Sequence, residues 1–188
     1  MMSNHQTIED TVRTHPDVAE VAVIRAGGAL VAAVVPVTIA SAPEIRDHVW
    51  AVLGDERSPR TVALLPALPR DSRGEMDRVE LGRILAEDDP PASTYVPPRT
   101  PLEAAVAGVL AEVLERTRVG VDDDFLELGG DSLRAIDAVN LLEQRTGLLI
   151  PVEELFAAGT VRALAAWGGD PAEPGALAGD PLAGDPLP

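Results

Sequence analysis

Two kinds of apolar pattern divide the chain. Early on, "VAEVAVIRA" and "ALVAAVVPV" are β-branched runs separated by Gly27 and Gly28, a pattern that predicts two strands joined as a hairpin. Before them, "TIEDTVRTHP" predicts a short helix closed by proline. After them, "APEIRDHVWAVLG" places Ile45, Val49, Val52 and Leu53 on one face of a helix, with Gly54 as its stop. "RTVALLPALP" returns as a strand and "DRVELGRIL" as a short helix. The expected first region, residues 1–88, is therefore an α+β lobe: a small sheet with helices packed on it.

From about Arg99 the pattern turns wholly helical. "TPLE" is a capping signature, with Thr100 as N-cap, Pro101 at the first helical position and Glu103 reaching back to the cap. Leu102, Val106, Val109, Leu110, Val113 and Leu114 then recur at helical spacing and predict a buried stripe. A polar loop follows in which Val119, Val121, Phe125 and Leu128 can pin the chain to the core. The next helix is expected to open at Asp131 or Ser132 and to run to about Arg145, with Leu133, Ile136, Val139 and Leu142 inward. A short turn, "PVEELFA", and a last helix from Thr160 complete an all-α four-helix bundle over residues 99–168. Residues 89–98, rich in proline and without an apolar period, read as a linker of semi-rigid spacing. Residues 169–188 carry too much Gly and Pro to bury a core and read as a flexible tail.

Composition narrows the partners. The chain of 188 residues is 46% hydrophobic, enough to bury a core, and carries a formal charge of -16. That charge argues against nucleic acid and anionic membrane surfaces, which are held by clustered Lys and Arg. No cysteine means no disulfide, no thiolate chemistry and no cysteine metal site. No run is long and apolar enough to span a bilayer, and the start "MMSNHQTIED" lacks the regions of a signal peptide, so a soluble cytoplasmic protein is expected. All fifteen basic residues are arginine.

The chemistry concentrates in "DDDFLELGGDSLRAIDAV", where Gly129, Gly130 and Asp131 lead into Ser132 at the start of a helix. A serine nucleophile needs a base within hydrogen-bond reach. The histidines, His5, His15 and His48, all fall in the first region, there is no "GxSxG" elbow, and without lysine a Ser-Lys pair is excluded. Ser132 could simply cap a helix, yet Asp131 already supplies a capping oxygen. A third reading is covalent attachment, since a phosphodiester built there would face free backbone N–H groups and the positive end of the helix dipole. Asp122, Asp123 and Asp124 lack the alternating spacing and glycine of a calcium loop, so no metal site is expected and a solvated loop is read instead.

Residues from "YVPPRTPLEAAVAGVLAEVL" through "DDDFLELGGDSLRAIDAVNLLEQRTGLLIPVEELFAAGTVRALA" resemble the peptidyl carrier proteins, or thiolation domains, of nonribosomal peptide synthetases. The resemblance implies that Ser132 receives 4'-phosphopantetheine from coenzyme A through a phosphopantetheinyl transferase. The arm's thiol would then carry an aminoacyl or peptidyl group as a thioester. It also implies partner contacts on the helix after the serine and on the next short one, at Leu133, Arg134 and Phe156; helical periodicity alone would equally make Leu133 and Phe156 core. A separate adenylation or loading enzyme and condensation or tailoring enzymes are the implied partners.

"THPDVAEVAVI", "LVAAVVP" and "LPALPRDSRGEMDRVEL" resemble the small C-terminal subdomain of adenylation domains over residues 8 to 85. Leu68, Pro69, Gly74, Asp77 and Arg78 match its closing motif, but the position of the catalytic lysine is Glu75. A carboxylate there would repel the carboxylate and phosphate oxygens that the ammonium steadies. The large adenylation subdomain is also outside the chain, so the lobe is expected to be an inactive docking or structural element and the protein a carrier rather than an enzyme. Two alternatives stay open: complementation of a separate large subdomain in trans, and an interaction module in which Ser132 stays unmodified.

Overall fold

The computed structural model describes residues 4–88 and 90–167. Helix α1 (Asn4–Arg13) leads into strands β1 (Val18–Ala26) and β2 (Ala29–Pro36), then α2 (Ala42–Leu53), β3 (Thr61–Leu64), α3 (Arg78–Glu87) and β4 (Ala92–Thr94). The hairpin forms as the sequence predicts. Gly27 and Gly28 both have positive φ (56° and 84°), the backbone twist that a two-residue antiparallel turn demands. The sheet order is β1-β2-β3-β4, with β2 and β3 parallel across the α2 crossover and the other pairs antiparallel.

Side-chain alternation sorts the strands onto two faces. Val21, Val23, Ala32, Val34 and Val62 point to the side covered by Ile8 and Val12 of α1 and by Ile45 and Val49 of α2. Ala22, Ile24 and Ala33 face the other side, where Leu65, Leu68 and, from α3, Leu81 pack. Helix α2 opens on Ser41, which accepts from the Glu44 N–H, and Gly54 ends it as expected. Its buried face differs from the expected one. Val52 is exposed, while Arg46 and Trp50 are buried in its stead. Residues 92–94 also depart from a bare linker, because β4 continues the sheet on β3 and the Tyr95 N–H donates to the Arg60 carbonyl at 2.8 Å.

The helical region contains α4 (Pro101–Val113), α5 (Ser132–Thr146), α6 (Val152–Ala158) and α7 (Val161–Trp167) around one apolar cluster. Both halves of the Thr100–Glu103 capping box are present. Val119, Val121, Phe125 and Leu128 are buried and pin the loop as expected. On α5 the inward stripe follows the predicted one at Leu142 and in part at Val139, but not at Leu133 and Ile136. Ala135, Ala138 and Leu142 are buried, Val139 is half-buried, and Leu133 and Ile136 are exposed. The small alanines let α5 approach α4 closely, and a reading weighted toward large apolar residues turns the helix the wrong way. Residues 169–188, the predicted tail, lie outside the described residues.

Candidate functional site at the head of helix α5

Ser132 is the first residue of α5 and is exposed. Asp131 is its N-cap, accepting from the Arg134 N–H at 2.9 Å, so the serine hydroxyl is not needed as the cap. The preceding glycines do different jobs. Gly129 has φ of 91°, which favours glycine on conformational grounds. Gly130 is constrained by space, since a Cβ there would collide with the ring and carbonyl oxygen of Phe125. The loop is closed by the Gly130 N–H donating to the Phe125 carbonyl at 2.8 Å, and by an Arg134 guanidinium N–H donating to the Gly129 carbonyl at 2.7 Å.

These residues fit a phosphodiester at Ser132. The hydroxyl is exposed at the positive end of a 15-residue helix, and a guanidinium sits two residues along. Leu133 is 71% exposed, so it is not core. By its spacing it is a neighbour of the exposed Ile136 on one helix face. Phe156 is half-buried and lies edge-on to Phe125, with ring centroids 6.0 Å apart.

In the first region Gly74 (φ 82°) turns a tight loop in which the Asp71 N–H donates to the Glu75 carbonyl and the Glu75 N–H to the Asp71 carboxylate. Glu75 is exposed. Asp77 and Arg78 have architectural work here: Asp77 caps α3 through the Val79 and Glu80 N–H groups, and Arg78 donates to the Val23 carbonyl at 2.8 Å.

The acidic run before the serine is only partly the solvated loop its composition suggests, with Asp122 exposed, Asp124 half-buried and Asp123 buried. Asp122 pairs with Arg162 at 2.6 Å, which holds its carboxyl below the usual range against the opposing effect of burial. Asp124 folds back on the Leu126 and Glu127 N–H groups. Asp123 is buried and takes a two-pronged bond from Arg46, at 2.8 and 2.7 Å, while its Oδ2 also accepts from the Gly120 N–H. Sequence reasoning missed Arg46, and only its place on the apolar side of α2, one turn before Trp50, hinted at burial. No group of residues suited to a metal ion occurs among the described residues, and none of the described helices is long and apolar enough to cross a membrane.

The exposed serine at a helix head behind a Gly-Gly-Asp turn lies within a stretch that matches a phosphopantetheine carrier family. Residues 104–167 match the phosphopantetheine attachment site family, and residues 7–75 match the AMP-binding enzyme C-terminal domain. A stretch of the phosphopantetheine-attachment type thus follows a stretch of the AMP-binding C-terminal type along the chain. It is 37% identical over 123 residues to the indigoidine synthase of Dickeya dadantii, covering 65% of this chain and 8% of that protein. To the phenyloxazoline synthase of Mycobacterium tuberculosis it is 34% identical over 169 residues, covering 84% of this chain and 12% of that one. A solved non-ribosomal PCP domain is 39% identical, with a TM-score of 0.36, over 38% of this chain and 91% of that one. The chain therefore spans only a small part of the curated relatives it matches.

Proposed function

We propose that the protein tethers an aminoacyl, peptidyl or acyl intermediate on a 4'-phosphopantetheine arm at Ser132, in the cytoplasm, during nonribosomal peptide or related natural-product biosynthesis. The observation that carries this reading is an exposed Ser132 whose capping role is already filled by Asp131. When attached, the arm supplies a terminal thiol on which cargo is held as a thioester. The chain's own residues present it: Gly129 and Gly130 shape the turn, Asp131 starts the helix, and Arg134 closes the loop beside the phosphate position. Leu133, with Ile136 beside it, offers apolar surface to the transferase, the loading enzyme and the condensation or tailoring enzymes. Phe156 contributes less, since half of it supports Phe125.

The first region serves as a noncatalytic docking or structural element. The exposed carboxylate of Glu75 supports this, because it would oppose the negative charge that adenylation develops. Intact-protein mass after incubation with coenzyme A and a broad-specificity phosphopantetheinyl transferase tests the carrier role. One added phosphopantetheine on the parent and none on Ser132→Ala is expected. No added mass on folded parent protein would leave an unmodified interaction module as the better reading.

A further inference from the structure

The first region and the helical bundle meet through polar groups that each would otherwise leave to water. Arg46, from the middle of α2, is fully buried, and its guanidinium donates to both oxygens of Asp123 and to the Ser93 hydroxyl at 2.7 Å. A second crossing runs the other way in charge. Arg116, just past α4, donates to Asp47 of α2 at 3.0 Å and to the Leu128 carbonyl at 2.9 Å, four residues before Ser132. A third, Arg118, donates to Asp55 at 2.8 Å and lies 3.8 Å over the Trp50 ring. The intervening segment is stitched on both sides: the Tyr95 N–H bonds to Arg60 in the first region, and the Val96 carbonyl accepts from the Val121 N–H in the bundle at 2.9 Å. Trp50 and Tyr95 stack edge-on between the two, with centroids 4.7 Å apart.

We propose that these contacts form a locked joint, pinned by the Arg46–Asp123 fork, so that the sheet region and the helical bundle move as one body with Ser132 at a fixed place relative to the sheet. The physical basis is register. An apolar contact tolerates sliding, whereas a planar guanidinium engaging both oxygens of one carboxylate fixes distance and angle together. Parting the two would also give up the charge-assisted bonds that Arg46 makes to Asp123 and Ser93. The Arg46 Nε, Asp47 Oδ1 and Trp50 Nε1 atoms are buried without a hydrogen-bond partner, and all three lie at this joint. Against the cost of those unpaired atoms stand the directed contacts of Arg46, Arg116 and Arg118 and the Trp50–Tyr95 ring pair. The consequence is that cargo travels by the reach of the arm and by partners coming to the protein, and a partner approaching Ser132 meets both regions as one surface.

The test exploits the absence of cysteine in the chain. Spin labels at Glu56→Cys and Gln144→Cys, both exposed, report the separation of the two regions by pulsed electron resonance in the full chain. One narrow distance distribution is expected for the parent, and it should survive 1 M salt, where the screening length of about 3 Å weakens exposed pairs far more than a buried one. Arg46→Met keeps an unbranched apolar stem without the guanidinium, and Asp123→Asn keeps an acceptor for the Gly120 N–H. Either should broaden the distribution at least twofold while circular dichroism shows both regions folded. A broad distribution in the parent would overturn the joint, and parent-like narrow distributions in both variants would overturn the pin. Phosphopantetheine loading is read by mass in the same samples and stands or falls separately.

Discussion

At Ser132 the side chain has been relieved of structural duty, and its neighbours show how. Asp131 holds the Arg134 N–H, Gly129 takes the left-handed backbone, and Gly130 leaves room for Phe125. Gly130→Ala should therefore destabilise the bundle by about 1–3 kcal/mol through overpacking, measured by urea unfolding. Ser132→Ala should leave stability within about 0.5 kcal/mol while abolishing loading, because the site is exposed. Glu75→Lys should be equally neutral for folding. Restored pyrophosphate exchange in that variant, with a separate large adenylation subdomain added, would show the first region to be more than structural. The motif around Ser132 was legible in the sequence since its parts are adjacent. That one glycine answers to φ and the other to space was not, because Phe125 reaches Gly130 only once the loop has folded.

At the scale of elements, caps proved more readable than faces. The Thr100–Glu103 box and the Gly54 stop depend on residues within a turn of each other, and both form as predicted. Thr100→Ala should cost about 1 kcal/mol of bundle stability. The inward face of α5 depends on what α4 presents to it, and there Ala135 and Ala138 displaced Leu133 and Ile136. Ala138→Leu should thus cost about 1–3 kcal/mol by overpacking, whereas Leu133→Ser should stay within about 0.5 kcal/mol and weaken transferase recognition instead. Acid should loosen the α4–α7 end first. The Arg99 N–H holds the Glu103 carboxyl below its ordinary range, and Arg162 does the same for Asp122. Carboxyls lowered on folding add stability above their unfolded values, about 4, and lose it as pH falls through the folded ones. Melting temperature followed from pH 6 to pH 3 should show a fall that Asp122→Asn makes shallower.

For the whole molecule, the junction between the sheet region and the bundle dominates the expectations. Arg46→Ala should destabilise by roughly 3–5 kcal/mol, since it leaves a buried carboxylate without its partner; urea unfolding with a double-mutant cycle to Asp123→Asn measures the coupling. In the first region, burial and the nearby His15 lower His48, so α1–α2 packing keeps its full stability above the unfolded value, about 6.5, and loses some as pH falls below it. Apart from β4, the succession of strands and helices, the Thr100 cap, the Gly54 stop and the place of Ser132 at a helix head could be read from the chain alone, because each rests on spacing within a few residues. Folding had to settle that Arg46 is buried, that Asp123 is its partner rather than a solvated loop residue, and that residues 92–94 are a strand. Separation along the chain accounts for the difference. Arg46 and Asp123 lie 77 residues apart, and a charged residue's choice between water and a buried partner is made only where folding brings that partner.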